Sequence, residues 1–86
     1  MYSIYVLKHS TTKELYFGKS NDLRRRLSEH NAHQQKSTNR KNGSWELVYA
    51  EAYKDKRDAD VRERRLKQHG RAKQELVRRV ANSLID

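Results

Sequence analysis

The chain has 86 residues, of which 34% are hydrophobic, and it contains no cysteine. This length allows one small domain with a modest core, and the lack of cysteine excludes a disulfide framework and a thiolate metal site. Twenty lysine and arginine residues against eleven acidic ones give a net charge of +9. The charge predicts a polyanionic partner, although a solubilising basic surface would produce the same composition. No apolar run approaches the roughly 18 residues of a membrane span, so we expect a soluble protein without a membrane partner.

Two short strands are predicted at the start of the chain, on either side of a polar loop, His9–Lys13. Tyr2–Leu7 and Leu15–Gly18 are rich in aromatic and β-branched residues, which favour strands. We expect a hairpin whose turn is centred between Ser10 and Thr11.

The position of this turn predicts which residues of the hairpin face each other. Opposed residues would have numbers that sum to about 21. Tyr5 would then lie across from Tyr16, and Ile4 across from Phe17, so that two phenols emerge on one surface of the hairpin. Gly18 would allow the backbone to approach another group closely.

A first helix is predicted directly after the hairpin. Asn21 or Ser20 can cap a helix that starts at Asp22, an acidic residue suited to a helix N-terminus. Positions i, i+3, i+4 and i+7 of this helix share one face, and they are Leu23, Arg26, Leu27 and His30. The two leucines would point to the core, with Arg26 and His30 beside them. Arg24 and Arg25 would turn towards solvent.

The polar stretch Asn31–Ser44 shows neither a helical nor a strand period, which predicts a surface loop. It is either a plain connector or a basic flap over bound phosphate. In the second case Lys36, Ser37, Thr38 and Arg40 would contribute backbone, hydroxyl and charged contacts.

Trp45–Tyr53 predicts a third strand. Apolar residues occur at both sets of alternating positions, because Trp45, Leu47 and Tyr49 alternate with Glu46, Val48 and Ala50. A strand that is buried on both faces needs helices on both sides of the sheet. Since the first connection is too short for a crossover, the strands must be mostly antiparallel, and we place the third strand beside the first.

A second, highly charged helix is predicted from Lys56 to about Gln68. Its core-facing stripe would be Ala59, Glu63 and Leu66, which puts the Glu63 carboxylate on the buried side. Burying an unpaired carboxylate costs roughly several kcal/mol, so Glu63 requires a proton, a salt bridge to an arginine such as Arg26, or a divalent metal ion.

Gly70 can end the second helix, and a helical period resumes from Arg71 to about Leu84. The apolar stripe of this third helix comprises Leu76, Val77, Val80, Ala81 and Leu84. The opposite face is basic and carries Arg71, Lys73, Arg78 and Arg79. The elements together predict an α+β fold in which a small three-stranded, mostly antiparallel sheet is flanked by three helices, with residues 1–86 forming a single domain.

Several of these residues match a known family in order and spacing. Ser3-Ile4-Tyr5 and Tyr16-Phe17-Gly18, with Arg26 ten residues after Tyr16, resemble the GIY-YIG nuclease domain. The continuation resembles the small stand-alone members of that family through His30, Lys36-Ser37-Thr38, Trp45-Glu46-Leu47-Val48, Arg62-Glu63 and Leu66-Lys67. Ser3 stands where the family usually has glycine, and Phe17 where it usually has isoleucine or valine.

The resemblance implies a metal-dependent endonuclease that hydrolyses phosphodiester bonds of DNA through a single Mg²⁺ or Mn²⁺ ion. It implies that Glu63 binds this ion and that Tyr5 acts as the general base. A free phenol titrates near ~10, so Tyr5 would need neighbouring positive charge, for which Arg26 and Lys19 are candidates. Arg26 is also suited to bidentate contact with the phosphate.

The resemblance gives supporting roles to two further side chains. His30 would hydrogen-bond Tyr5 or the phosphate, or accept the proton itself, and Tyr16 would orient water or phosphate. Nucleic-acid contacts are expected from a set of basic and hydroxyl residues: Arg24, Arg25, Lys36, Ser37, Thr38, Arg40, Lys67 and Lys73. The remaining histidines, His9, His33 and His69, are expected on the surface.

Two alternatives to an active nuclease stay open at this point. The chain could be a catalytically inactive nucleic-acid-binding module on the same fold, an interpretation that the serine at position 3 supports. It could also be a structural or protein-interaction domain whose basicity serves acidic partners. For the nuclease we expect DNA as the substrate and a location in the cytoplasm or at the nucleoid.

Overall fold

The computed structural model describes residues 1–36, 43–68 and 70–85, with the side chains of residues 33–36 outside the description. The elements in chain order are β1 (Tyr2–His9), β2 (Leu15–Ser20), α1 (Leu23–Lys36), β3 (Trp45–Tyr53), α2 (Lys56–Gln68), α3 (Gly70–Arg79) and a short 3₁₀ helix (Ala81–Leu84). The strands form one antiparallel sheet in the order β2-β1-β3. This confirms the α+β class and the position of the third strand beside the first. None of the helices within the described ranges is long and apolar enough to cross a membrane.

The predicted register of the β1–β2 hairpin is wrong by two residues. Tyr5 pairs with Gly18, and Leu7 pairs with Tyr16. The turn is centred one residue later than expected, because β1 continues to His9 and the connection occupies residues 10–14, where Lys13 adopts a positive φ of 66°. Moving the centre of the turn by one residue changes each pairing by two, which preserves the face on which a side chain lies. The two tyrosines therefore still share a face, as predicted.

The sheet presents two faces that pack against different helices. The face covered by α1, which we call the α1 face, carries Tyr5, Leu7 and His9 of β1 and their partners Ala50, Leu47 and Trp45 of β3. The opposite face, the α2 face, carries Ile4 and Val6 of β1 and their partners Glu51 and Tyr49 of β3. The main apolar core lies on the α2 face and comprises Ile4, Val6, Ala59, Leu66, Leu76 and Val80. Helices lie on both sides of the sheet, as predicted, but the predicted burial of β3 on both faces is wrong: β3 is an edge strand without a buried residue, and Leu47 is 38% exposed.

A β-bulge interrupts β3 opposite Val6 and Leu7. Val6 pairs with Tyr49 while Leu7 pairs with Leu47, so Val48 is the additional residue. The bulge reverses the alternation of side chains along the rest of the strand. The prediction that Tyr49 shares a face with Leu47 is therefore wrong, and Tyr49 packs against the core on the α2 face.

The core-facing stripe of α2 is confirmed at its two apolar positions only. Ala59 and Leu66 are 0% and 2% exposed. The side chain of Glu63, by contrast, is 26% exposed, so its predicted burial is wrong. Glu63 lies about 40° around the helix from Ala59 at 100° per residue, at the margin of the stripe, where its carboxylate reaches two lysines instead of the core.

Both ends of α1 differ from expectation. Asp22 precedes the helix instead of starting it, and its Oδ1 accepts the backbone N–H of Arg25 at 3.1 Å, as an N-cap residue does. The helix continues to Lys36, so the predicted loop from Asn31 is wrong over its first six residues. The Asn31 side chain accepts from the Trp45 N–H at 2.7 Å and donates to the Trp45 carbonyl at 3.3 Å. This long-range pairing ties α1 to the start of β3.

His9 is buried, contrary to the prediction that it lies on the surface. Its exposed fraction is 1%, and its ring packs edge-on against Trp45 with the centroids 5.1 Å apart. Nδ1 accepts the backbone N–H groups of Thr11 and Thr12 at 3.2 and 3.1 Å. Because β1 is two residues longer than predicted, His9 belongs to the strand and closes the hairpin loop.

The last part of the chain packs as predicted up to Val80 and then changes form. Leu76 and Val80 are buried, whereas Ala81 is exposed because the α-helix ends at Arg79 and a 3₁₀ turn follows. Lys8 donates to the carbonyl of Leu84 at 2.6 Å, which attaches the 3₁₀ helix to β1.

Replacing Leu66 by alanine should lower the free energy of unfolding by about 2–5 kcal/mol, because it leaves a cavity beneath α2. Val61→Ala on the same helix is the matched control, since Val61 is 41% exposed. It should cost about 0.5 kcal/mol or less. Urea denaturation followed by the fluorescence of Trp45 measures both values. Equal losses in the two variants would show that α2 does not pack through Leu66.

Candidate active site

The phenol of Tyr5 lies against the backbone of the neighbouring strand. Tyr5 is 1% exposed and pairs with Gly18 of β2. A Cβ atom placed on Gly18 would lie 2.5 Å from the Tyr5 hydroxyl oxygen and 2.6 Å from Cζ. Any side chain at position 18 would therefore displace the phenol. This is the close approach that the glycine was expected to permit.

Three aromatic side chains surround Tyr5 on the α1 face. The Tyr5 and Tyr16 ring centroids are 6.2 Å apart, and the His30 ring lies edge-on to Tyr16 at 4.6 Å. Trp45 closes the group at 6.3 Å from both Tyr16 and His30. The Tyr5 hydroxyl is 3.3 Å from His30 Nε2, within hydrogen-bonding distance. A proton can therefore move directly between the phenol and the imidazole.

Arg26 joins this group from α1. Its guanidinium lies beside the phenol of Tyr5, and this neighbour is the main cause that raises the pKa of the guanidinium, followed by Glu29. Arg26 Nη1 donates to Glu29 Oε1 at 3.0 Å. Burial raises the pKa of Tyr5 above its ordinary 10.0, and the neighbouring Arg26 guanidinium opposes that rise without cancelling it. The phenol thus keeps its proton at neutral pH in the free protein.

A second group of charged side chains lies on the α2 face. Lys19 of β2 forms an ion pair with Asp60 and lies 3.7 Å from Glu63 Oε1. Lys67 donates to Glu63 Oε2 at 3.2 Å. Two ammonium groups therefore share the Glu63 carboxylate, and Arg26 is not its partner among the ion pairs of the described residues.

The two groups meet at β2, which is an edge strand of the sheet. Tyr5 extends over Gly18 on one face, while Lys19, the next residue of the strand, projects to the other face and reaches Glu63. The Glu63 charge contributes to the raised pKa of Tyr5, so the carboxylate acts on the phenol across the strand. The candidate site therefore straddles the edge of the sheet at residues 18 and 19.

The other predicted nucleic-acid contacts lie at different places. Arg24 and Arg25 are exposed on α1, and Arg25 Nε lies 3.9 Å from Glu29. Lys73 is placed with its ammonium 5.1 Å from the centre of the Phe17 ring on the α2 face. Four predicted contacts, the Lys36 side chain, Ser37, Thr38 and Arg40, lie outside the described residues.

Sequence reasoning did not select two charged neighbours of Glu63. Asp60 precedes Glu63 by three residues and holds Lys19, and the i,i+3 spacing could have indicated a shared face. Arg64 lines an open groove of about 450 Å³ together with Lys19, Asp60, Glu63, Lys67 and Gln68. In a helix this rich in arginine, no sequence signal separates Arg64 from its neighbours.

The family model of the GIY-YIG catalytic domain matches residues 1–76 of this chain. The chain belongs to the GIY-YIG family. GIY-YIG domains are typically nucleases, so nucleic acid is the implied substrate, and they generally use divalent metal ions. No curated protein and no solved structure is significantly similar to the chain.

The surroundings of Glu63 fit the divalent ion that a GIY-YIG nuclease uses. Carboxylate oxygens are the ligands that Mg²⁺ and Mn²⁺ prefer, and this carboxylate lines an open groove. Within the described ranges no three acidic or histidine side chains converge into a full ligand set. The donor set therefore suits an ion that keeps most of its coordination positions for water and substrate, as Mg²⁺ commonly does.

The pKa of Tyr5 provides a test of this geometry. Arg26→Gln should raise the pKa further, because it removes the neighbouring positive charge that lowers it. Glu63→Gln should have the opposite effect, because it removes a negative charge that raises the pKa. Alkaline titration followed by the NMR signals of tyrosine Cζ carbons measures both shifts, with exposed Arg24→Gln as the control. If Glu63→Gln leaves the pKa of Tyr5 unchanged, the Glu63 carboxylate is too far from the phenol to affect it.

Proposed function

We propose that this protein is an endonuclease that hydrolyses phosphodiester bonds of DNA with a single Mg²⁺ or Mn²⁺ ion. The observation that carries the proposal is the meeting of two groups at β2: a buried phenol beside Arg26 and His30, and the carboxylate of Glu63 on the other side of the strand. The match of residues 1–76 to a nuclease family supports the same reaction class.

In this proposal Tyr5 relays the proton of the attacking water. Since burial keeps the phenol protonated in the free protein, Tyr5 must first give up its own proton before it can accept another. His30 Nε2, at 3.3 Å, is positioned to receive it. The charge of Arg26 favours the phenolate that results, and Tyr16 beside both groups would orient the water or the phosphate.

Arg26 would also bind the scissile phosphate. Its side chain is 44% exposed, so part of the guanidinium remains available although Glu29 holds one nitrogen. A planar guanidinium can bind two phosphate oxygens at once and opposes the negative charge that grows in the transition state. Lys19 would add a second positive charge from the far side of β2.

Glu63 would hold the divalent ion, in competition with Lys19 and Lys67. When bound, such an ion supplies positive charge against the phosphate and leaving oxygens. Both lysines would then be released from the carboxylate and would be available to the phosphates of the substrate. The groove beside Glu63 is open to solvent.

A single domain over residues 1–86 is part of the proposal. Val80 lies beyond the segment that the family model matches, yet it packs into the same core as Ile4 and Leu66. The DNA substrate supports a location where DNA is present, which we propose to be the cytoplasm or the nucleoid.

Cleavage assays with Glu63→Gln and Arg26→Gln test the reaction. With Mg²⁺ or Mn²⁺ the wild-type protein should nick supercoiled plasmid or cut labelled branched, flapped or single-stranded DNA, and chelator should stop it. Each substitution should reduce the rate on the order of 10²–10³-fold, because each removes charge that stabilises the transition state. Glu75→Gln is the matched control, since Glu75 is another helical glutamate paired at i,i+4, with Arg71.

Two results would overturn the proposal. Salt-sensitive DNA binding without cleavage by the wild-type protein would favour an inactive binding module. Metal-dependent cleavage that survives both substitutions would mean that the catalytic site lies elsewhere.

Arg64 is proposed as a phosphate contact beside Glu63. Among the described residues no acidic side chain pairs with Arg64, whereas Arg57 of the same helix donates to Asp55 at 2.7 and 3.1 Å. Both arginines are exposed and carry the same charge. Comparing substitutions of Arg64 and Arg57 therefore distinguishes the effect of the groove from the effect of total charge.

Arg64→Gln should weaken DNA binding and reduce the salt dependence of the binding constant by roughly one unit of slope, because one phosphate contact is lost. Arg57→Gln should change both quantities much less. Fluorescence anisotropy with a labelled oligonucleotide over a series of salt concentrations measures them. Equal slopes for the two variants would exclude a specific role of the groove.

A further inference from the structure

We propose that Glu51 is a positioning residue for Glu63: by holding Arg62, it fixes α2 in the orientation that directs Glu63 to the edge of the sheet. The inference rests on the proposed function, since it concerns how the metal-binding carboxylate is placed. Glu51 lies on β3, the strand at the opposite edge of the sheet from β2, and does not belong to the site itself.

Three donors converge on the Glu51 carboxylate. Arg62 Nε donates to Oε1 at 2.5 Å, and the Tyr53 hydroxyl donates to the same oxygen at 2.9 Å. The Tyr49 hydroxyl donates to Oε2 at 2.6 Å. The side chains of Glu51 and Arg62 are only 18% and 24% exposed, so solvent screens this pair less than it screens the exposed ion pairs of α2.

The protonation states of the cluster favour a lasting ion pair. Burial by itself raises the pKa of Glu51, but the hydrogen bonds from Tyr49, Arg62 and Tyr53 outweigh it and hold the pKa below its ordinary 4.5. Burial and the neighbouring carboxylate raise the pKa of both tyrosines, so their hydroxyls remain donors. The carboxylate is therefore ionised at neutral pH and carries its full set of hydrogen bonds.

The cluster and the proposed site involve neighbouring residues of α2. Arg62 directly precedes Glu63, and consecutive side chains of an α-helix point about 100° apart. On α2 this angle sends Arg62 to β3 and Glu63 towards β2, where Lys19 lies 3.7 Å from its carboxylate. A rotation of α2 about its axis would move both side chains together.

Apolar packing and the Lys19–Asp60 ion pair both attach α2 to the sheet, and the Glu51–Arg62 pair adds a further contact at β3. Ala59 and Leu66 pack on the core, but hydrophobic contact is non-directional. Hydrogen bonds have preferred distances and angles, so the Glu51–Arg62 pair adds a directional limit to the rotation. Small displacements of a catalytic group have large effects on rate, which gives this restraint a functional consequence.

The bulge at Val48 is a condition of this arrangement. Side chains alternate along a regular strand, so without the additional residue Glu51 would lie on the α1 face, away from Arg62. The bulge turns Tyr49, Glu51 and Tyr53 to the α2 face together. Because of this one bulge, the Glu51 carboxylate and the two phenols all face α2.

Glu51→Gln tests the inference, with Glu46→Gln as the matched control. Glu46 lies on the same strand and is exposed, so the control makes the same change of charge outside the cluster. Mn²⁺ binding in the absence of DNA is measured by the electron paramagnetic resonance signal of the free ion, well below the unfolding temperature. We expect Glu51→Gln to weaken Mn²⁺ binding by about 10–100-fold, the usual effect of losing a residue that orients a metal ligand, and to lower kcat. Glu46→Gln should change neither.

Two further variants keep the test informative if Glu51→Gln folds poorly. Tyr53→Phe removes one hydrogen bond to Glu51 and should weaken Mn²⁺ binding in the same direction by a smaller factor. Arg62→Lys retains a cation and should keep more of the Mn²⁺ affinity than Arg62→Gln.

The outcomes separate this inference from the proposed function. Wild-type protein that neither binds Mn²⁺ nor cuts DNA overturns the proposed function and this inference with it. Wild-type binding and cleavage, together with a Glu51→Gln variant that has a lower melting temperature but the wild-type Mn²⁺ affinity, overturns this inference alone. Glu51 would then stabilise the fold without positioning Glu63.

Discussion

The contact between the Tyr5 phenol and the backbone at Gly18 is the constraint on which the site depends. Since there is no side chain at position 18, the phenol extends over the edge strand and its hydroxyl lies near Arg26, His30 and the field of Glu63. The described part of the domain contains one three-stranded sheet. Groups from its two faces can come close only around an edge, and β2 provides that edge.

Charge is organised differently at the two ends of α2. Towards its start, ion pairs neutralise exposed residues, as between Arg57 and Asp55. Further along, Lys19 and Lys67 share Glu63, and Arg64 adds a cation without an acidic partner in the described part of the chain. The groove around Glu63 therefore holds three cations, Lys19, Arg64 and Lys67, against the two carboxylates of Asp60 and Glu63.

One irregularity in β3 links the fold to the placement of this carboxylate. The bulge at Val48 brings Glu51 and two tyrosines to the α2 face, where they hold Arg62. Apolar packing attaches α2 to the sheet, and this polar cluster restricts its rotation. The domain thus combines a non-directional core with polar contacts that orient α2 at both edges of the sheet, Glu51 with Arg62 at β3 and Lys19 with Asp60 at β2.

The sequence by itself determined the features that depend on local periodicity. The bounds of β3 and α2, the apolar stripe at Ala59 and Leu66, and the common face of Tyr5 and Tyr16 follow from alternation and helical spacing. Only the tertiary structure decided the hairpin register, the bulge in β3, the burial of His9 and the approach of Lys19 to Glu63. Each of these depends on contacts between residues distant in the chain or on a backbone conformation, such as the positive φ of Lys13, that side-chain pattern does not encode.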